Sequence, residues 1–157
     1  MADIPDLKGK SRTKITNWHK DYLESLEKKL QSQPKFTDKY TIRNSNNERL
    51  YVPDKPNIRR QEILSNPDMI FVNKETGNFD FIIEVESQIN YKKIVGISLL
   101  TEIAIRQMNP KYSSTLILIT KKHFPNSKLL ESEIQGYVRN IKFLLTHSND
   151  FAWIADV

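Results

Sequence analysis

The sequence predicts an α+β fold: one domain with a mixed β-sheet containing two hairpins and a βαβ unit, flanked by helices. Three observations predict it. Apolar residues recur at helical spacing near the start of the chain, as Ile15, Trp18, Tyr22, Leu26 and Leu30. Two stretches then alternate around turn residues, "KYTIRNSNNERLYVP" and "NPDMIFVNKETGNFDFIIEVES". Finally, the apolar run "FIIEV" is followed by a long helical pattern and by a second apolar run, "STLILIT". Two strands joined through a helix of that length are expected to lie parallel.

Taken in order, residues 1–12 are poor in large apolar side chains and are expected to form a flexible arm ahead of a single domain, residues 13–157. The first repeat predicts a helix over residues 13–32 with a basic outer face. Asn46-Asn47 tolerates the positive φ of a tight turn, which predicts a first hairpin around it. A short helix is expected over residues 57–65. The second hairpin comprises residues 68–73 and 78–87 around "KETG". With Gly77 left-handed in a three-residue loop, Glu75-Thr76-Gly77, Lys74 pairs with Asn78 and opposed residue numbers sum to 152, setting Asp68 opposite Glu84. A four-residue loop would shift the register by one and send Asp68 to the other face. Phe79, Phe81, Ile83 and Val85 are expected on one face of this strand, and Ile82, Glu84 and Glu86 on the other. A buried helix follows, capped by Asn90, stopped at Asn109-Pro110 and with Gly96 placed for close packing. Residues 114–120 form the parallel strand. Apolar residues at 130, 134, 137, 138, 141, 144 and 145 predict a long helix over residues 126–148, and "FAWIA" an edge strand.

Composition narrows the chemistry. The 157 residues include no cysteine, which excludes disulfides and thiolate zinc sites, and three histidines, His19, His123 and His147. A metal would be held mainly by carboxylate oxygen. The net charge of +5 suits a polyanionic partner such as DNA. No apolar stretch approaches the ~20 residues of a membrane span, so a soluble, intracellular protein with no membrane partner is expected.

Glu84 and Glu86 lie within an apolar run on one strand face, with Asp68 beside them if the hairpin register holds. Clustered carboxylates away from water repel unless they protonate or bind a cation. Mg²⁺ or Mn²⁺ fits an all-oxygen set and can activate water against a phosphodiester. The carboxyl edge of the parallel strands gathers Lys121, Lys122 and His123, while Lys92 and Lys93 enter the first turn of the helix, where cations are unfavourable unless an anion joins them. These five residues are the candidate substrate contacts. The bland alternatives are a salt-bridged strand face for the glutamates, turn chemistry for Asp68 after Pro67, a solvated loop for residues 121–123, and core packing for Trp18 and Tyr22. Glu102 and Gln107 either project into the site or are hydrogen-bonded core polarity.

Pro67-Asp68, a 15-residue spacer and Glu84-Val85-Glu86, within an α-β-β-β-α-β order over residues 13–120, resemble the core of the PD-(D/E)xK nuclease superfamily. The resemblance implies a metal-dependent nuclease cutting linear double-stranded DNA, with Asp68 and Glu84 as metal ligands and Glu86 in the place usually held by lysine. There Glu86 orients the attacking water, acts as a base or ligates the metal. The whole chain also resembles small DNA-cleaving proteins of filamentous viruses of acidophilic archaea, which implies a viral protein acting inside its host. A homodimer is left open. The rival readings are a nucleotidyltransferase-like enzyme, which lacks here a Gly-Ser turn before an Asp-x-Asp pair, and a non-catalytic DNA-binding or virion-associated protein.

Overall fold

The computed structural model describes residues 18–44, 50–51, 63–65, 67–108 and 113–157. A helix over residues 18–31 (α1) leads through a one-turn helix, Pro34–Lys39 (α2), into strand Tyr40–Asn44 (β1). Two short strands, Leu50–Tyr51 (β2) and Ile63–Ser65 (β3), precede the hairpin Met69–Asn73 (β4) and Phe79–Glu86 (β5). Helix Tyr91–Met108 (α3), strand Ser114–Thr120 (β6), helix Ser127–Gln135 (α4), strand Ile141–His147 (β7) and a 3₁₀ turn, Ala152–Asp156, complete the chain. The main sheet runs β1-β4-β5-β6-β7. β1, β4 and β5 are antiparallel, whereas β6 is parallel to β5 and β7 to β6. The fold is therefore mixed α+β, and the expected βαβ unit is β5-α3-β6.

Both faces of the sheet are covered. On one, Ile70, Ile82, Leu116 and Leu118 pack with Ile94 and Ile105 of α3 and Ile134 of α4. On the other, Phe71, Ile83, Val85, Ile117 and Ile119 pack with Leu26 and Leu30 of α1, Phe36 of α2 and Trp153. This explains why β6 reads as an unbroken apolar run: both of its faces are core. Each fully buried Leu or Ile contributes roughly 1.5–3 kcal/mol relative to exposure. Leu26 and Leu30 of α1 are buried as the helical repeat predicts, and residues 13–17 lie outside the described part.

The β4–β5 register contains two departures that cancel. The loop holds four residues, not three: the Asn73 N–H bonds to the Asn78 carbonyl at 2.9 Å, and the Gly77 N–H to the Asn73 carbonyl at 2.8 Å. Asn73, not Lys74, therefore faces Asn78. The Asn73 side chain accepts from the Glu75 and Thr76 amides, and Gly77 takes φ 75°, so the left-handed glycine is where it was expected. A β-bulge then compensates. Val72 pairs with Phe79 but Phe71 with Phe81, leaving Asp80 as the surplus residue, held by the Asn73 side-chain amide at 3.0 Å. Beyond it, Phe71–Phe81, Ile70–Ile82 and Met69–Ile83 all sum to 152. The bulge also moves Phe79 to the Ile82 face, where it packs on α3's core and not with Phe81.

Other expectations fail for identifiable reasons. β1 pairs with β4 and not with β2, which pairs with β3; the Asn46-Asn47 turn itself lies outside the described residues. Residues 63–65, expected to be helical, form β3. The long helix over residues 126–148 is α4 followed by β7. Gly136 closes α4, and Ile141, Phe143 and Leu145 then alternate inward, a period of two hidden among apolar residues that also fit helical spacing. "FAWIA" is the 3₁₀ turn, not a strand. β7 ends the sheet, and α4 supplies partners for its open side: Gln135 donates to the Ile141 carbonyl at 3.0 Å and accepts from the Phe143 amide at 2.7 Å, while Glu131 accepts from the Leu145 amide at 2.9 Å. Helical side chains thus replace a missing strand.

Gly77→Ala should lower stability by about 1–2 kcal/mol, because a Cβ disfavours its left-handed backbone. Urea unfolding followed by circular dichroism measures it, and an unchanged midpoint would show that the turn does not hold the register.

Candidate functional site

At the end of β5 the sheet stops being purely apolar. Glu84 is 7% exposed and Glu86 ends the strand at its carboxyl edge. Both alternate with Val85, which packs towards α1, so their strand positions belong to the face covered by α3.

Asp68 sits just before β4, where the ladder slips. Its N–H bonds to the Ile83 carbonyl at 3.0 Å, and its carboxylate Oδ2 accepts from the Val85 amide at 2.8 Å. A side chain here takes the place of a main-chain acceptor, straddling Glu84 in the neighbouring strand. The other oxygen, Oδ1, lies 3.1 Å from Nε2 of His19 on α1. Asp68 is therefore tied both to β5 and to α1, by contacts that reach across the fold.

Lysines approach from the opposite side. α3 begins with the expected cap, the Asn90 side chain accepting from the Lys93 amide at 2.9 Å. The Lys93 ammonium lies 2.7 Å from Glu86 Oε2. The anion that relieves a cation in this first turn is thus Glu86. Lys92 is exposed beside it. Because β5 and β6 are parallel, Glu86 pairs with Thr120, and the Lys121 amide bonds to the Glu86 carbonyl at 3.0 Å. The Lys121 ammonium rests over the Trp18 ring, 5.1 Å from its centre. Lys122 and His123 are exposed on the same edge, and the His123 ring meets His147 at the end of β7, centres 5.5 Å apart.

The structure thus gathers Asp68, Glu86, Lys93 and Lys121 around the carboxyl end of β5, with Glu84 one pleat inward. Among the described residues, no group of three histidine, aspartate or glutamate side chains is arranged to hold a metal ion. Glu102 is far from this work: it is buried and accepts from the Arg139 and Asn140 amides, fixing the chain ahead of β7, with Arg106 paired to it at 3.2 Å. Gln107 is exposed. No helix among the described residues is long and apolar enough to cross a membrane.

His19 is the residue that sequence reasoning passed over. It sits one position after Trp18, at the border of the apolar stripe of α1, and no local motif marks it. Its pKa is raised, first by the hydrogen bond to Asp68, against the opposing effect of burial, and further by the charges of Asp68 and Glu86 and a hydrogen bond to the Val85 backbone. The nearby Tyr22 hydroxyl is buried without a hydrogen-bond partner among the described residues, and burial pushes its pKa up to about 12.

Compared with known protein families, with curated proteins and with solved structures, the chain matches none.

A group whose folded pKa is raised stabilises the fold below its ordinary pKa and loses that contribution as pH rises through the folded value. In metal-free buffer containing EDTA, His19→Gln should therefore be less stable than wild type by a margin that is largest near about pH 5.5 and shrinks towards about pH 9. Urea midpoints across that range measure the margin. A margin independent of pH would show that the His19–Asp68 contact is not ionic.

Proposed function

We propose that this protein is a metal-dependent deoxyribonuclease of PD-(D/E)xK-like design that hydrolyses phosphodiester bonds of linear double-stranded DNA. The observation that carries the reading is Glu86: a carboxylate at the carboxyl edge of the central strand, partly exposed, with Lys93 at 2.7 Å and Lys121 bonded to its main chain. A lone surface ion pair needs neither a buried neighbour such as Glu84 nor a cationic rim on the sheet edge where open α/β sheets take ligands.

The donor set fits a hard divalent ion. Glu84 and Glu86 offer oxygen from adjacent positions on one strand face, and Mg²⁺ is commonly held by one or two carboxylates, the remaining positions being water and substrate phosphate. Asp68 joins them only if Oδ1 releases His19, since Oδ2 is committed to the Val85 amide. When bound, the metal supplies Lewis acidity towards the phosphoryl oxygen and lowers the pKa of water. The chain's own residues do the rest. Glu86 orients the attacking water or accepts its proton. Lys93, released from Glu86 as that carboxylate turns to its task, meets a phosphate oxygen at the N-terminus of α3. Lys92, Lys121, Lys122 and His123 hold the flanking backbone, and His19 keeps Asp68 in place.

A second reading has an observation in its favour. Asp68 and Glu86 both have cationic or amide partners, as they would in a DNA-binding protein that performs no chemistry.

Incubation with linear and circular duplex DNA in Mg²⁺, Mn²⁺ or EDTA separates the two. Cleavage should need the metal, and Glu86→Ala should reduce it by at least about a hundredfold, with Glu86→Gln nearly as damaging. Circular dichroism and DNA affinity should stay near wild type in both variants. Wild-type cleavage by Glu86→Ala would overturn the assignment of Glu86, and DNA binding without cleavage in every metal would favour the second reading.

Binding itself should weaken steeply with salt and depend little on sequence, because it rests on lysine–phosphate contacts that release counterions. A salt titration by fluorescence anisotropy tests this; an affinity indifferent to salt would point to another kind of partner.

A further inference from the structure

Of the chain's three histidines, His19 is committed to Asp68. The other two meet at the carboxyl edge of the sheet: His123, just after β6, and His147, at the end of β7, bring their rings to 5.5 Å between centres at an angle of 72°. The backbone that carries them is held at several points. His147 pairs with Thr120 in the parallel ladder. The Ser148 amide and hydroxyl donate to the Thr120 and Lys121 carbonyls at 2.8 and 2.7 Å, and the Thr120 hydroxyl donates to the Lys122 carbonyl at 2.6 Å. Two loops from adjacent strands are thus laced together where each presents an imidazole.

We propose that His123 and His147 form a binding site for a divalent transition-metal ion of the zinc, nickel or copper kind. A tetrahedral zinc ion with Zn–N bonds of ~2.0–2.1 Å holds the centres of two imidazoles roughly 5 Å apart. The observed 5.5 Å is within a small side-chain adjustment of that spacing, and rings inclined at 72° are not stacked in the parallel arrangement that would close the space between them.

Packing alone does not account for the contact. His123 is exposed, so its ring gains little from burial. Neither ring has a hydrogen-bonded or ionic partner among the described residues. Imidazole nitrogens left in this way offer lone pairs, which zinc, nickel and copper accept readily.

The surroundings select the class of ion. No third histidine, aspartate or glutamate completes the set among the described residues, and Lys122, next to His123 in sequence, is exposed. A hard ion such as Mg²⁺, which depends on carboxylate oxygen, has nothing to hold it here. A borderline ion bonded to neutral nitrogen does not need such a counter-charge, and water fills the positions that the protein leaves open. The site is also separate from Glu86, since the whole of β6 lies between β5 and β7.

The proposal does not rest on the nuclease reading, and its test reads metal uptake, not cleavage. Isothermal titration of the full chain with Zn²⁺ alone, at about pH 7.5 and in millimolar Mg²⁺ to occupy any carboxylate site, should show one ion bound per chain with micromolar affinity. His123→Gln and His147→Gln should each weaken uptake at least about tenfold, and Glu86→Ala should leave it unchanged. Because His123 is exposed, His123→Gln keeps the fold and carries the test even if His147→Gln does not; circular dichroism checks both. In NMR spectra, Zn²⁺ should move the imidazole signals of His123 and His147 and leave those of His19 in place. An absence of uptake at high micromolar Zn²⁺, uptake that survives either folded histidine variant, or uptake lost in Glu86→Ala would overturn the proposal. So would binding of inorganic phosphate, and not zinc, to the same pair.

Discussion

One surplus residue, Asp80, determines which face of the sheet Glu84 and Glu86 occupy. A four-residue loop alone would set β5 one position out of phase with β4, turning Glu84 and Glu86 towards α1 and Val85 towards α3. The bulge at Asp80 reverses that slip before the strand reaches its carboxyl end. The same residue is anchored by Asn73, which also organises the turn through its side-chain oxygen. Turn, bulge and register are thus one device, and a single asparagine joins its parts.

From that register the sheet edge follows. β5, β6 and β7 end together, in parallel, at Glu86, Thr120 and His147. Parallel strands present their carboxyl ends on one side, so residues distant in sequence arrive at one place without a loop having to carry them there. The ion pair between Glu86 and Lys93 is partly exposed and contributes little to stability, since pairs of this kind are typically worth ~0–1 kcal/mol. A weak pair suits a site that has to exchange partners: separating carboxylate from ammonium costs little when a cation and a phosphate arrive together.

How much of this could be read from the sequence depends on which physical signal each element leaves. α1, the second hairpin, α3 and β6 were legible because each carries a period, a cap or a bounded apolar run. β7 was not, because Leu144 and Leu145 extend a helical spacing begun in α4, and its alternation of Ile141, Phe143 and Leu145 shows only once the helix is known to end at Gly136. β1 pairs with β4 for another reason: proximity in sequence favours β2, but β4, with Met69 to Val72 all buried, offers more to bury against. A three-residue loop predicts the 152 register, whereas the molecule reaches it through a four-residue loop and a bulge. In the site, Glu84 and Glu86 announce themselves as charges in an apolar run. His19 does not, since its importance comes from a contact with Asp68 across 49 positions of sequence, and no local pattern encodes that.

α3 shows how one segment can serve three demands that sequence periodicity blends together. Its first turn is electrostatic, with Asn90 capping and Lys93 turned to Glu86. Its inner side is structural, with Ile94, Ala104 and Ile105 in the core and Glu102 holding the chain ahead of β7. Its outer side carries Val95, Leu99, Leu100 and Ile103, which remain exposed. Summed round the helix, these demands make α3 resemble a buried helix, and the uniformity of the pattern conceals that the outer apolar side is not core. Leu99 and Leu100 are about two-fifths exposed, so apolar content alone overstates how much of α3 is core.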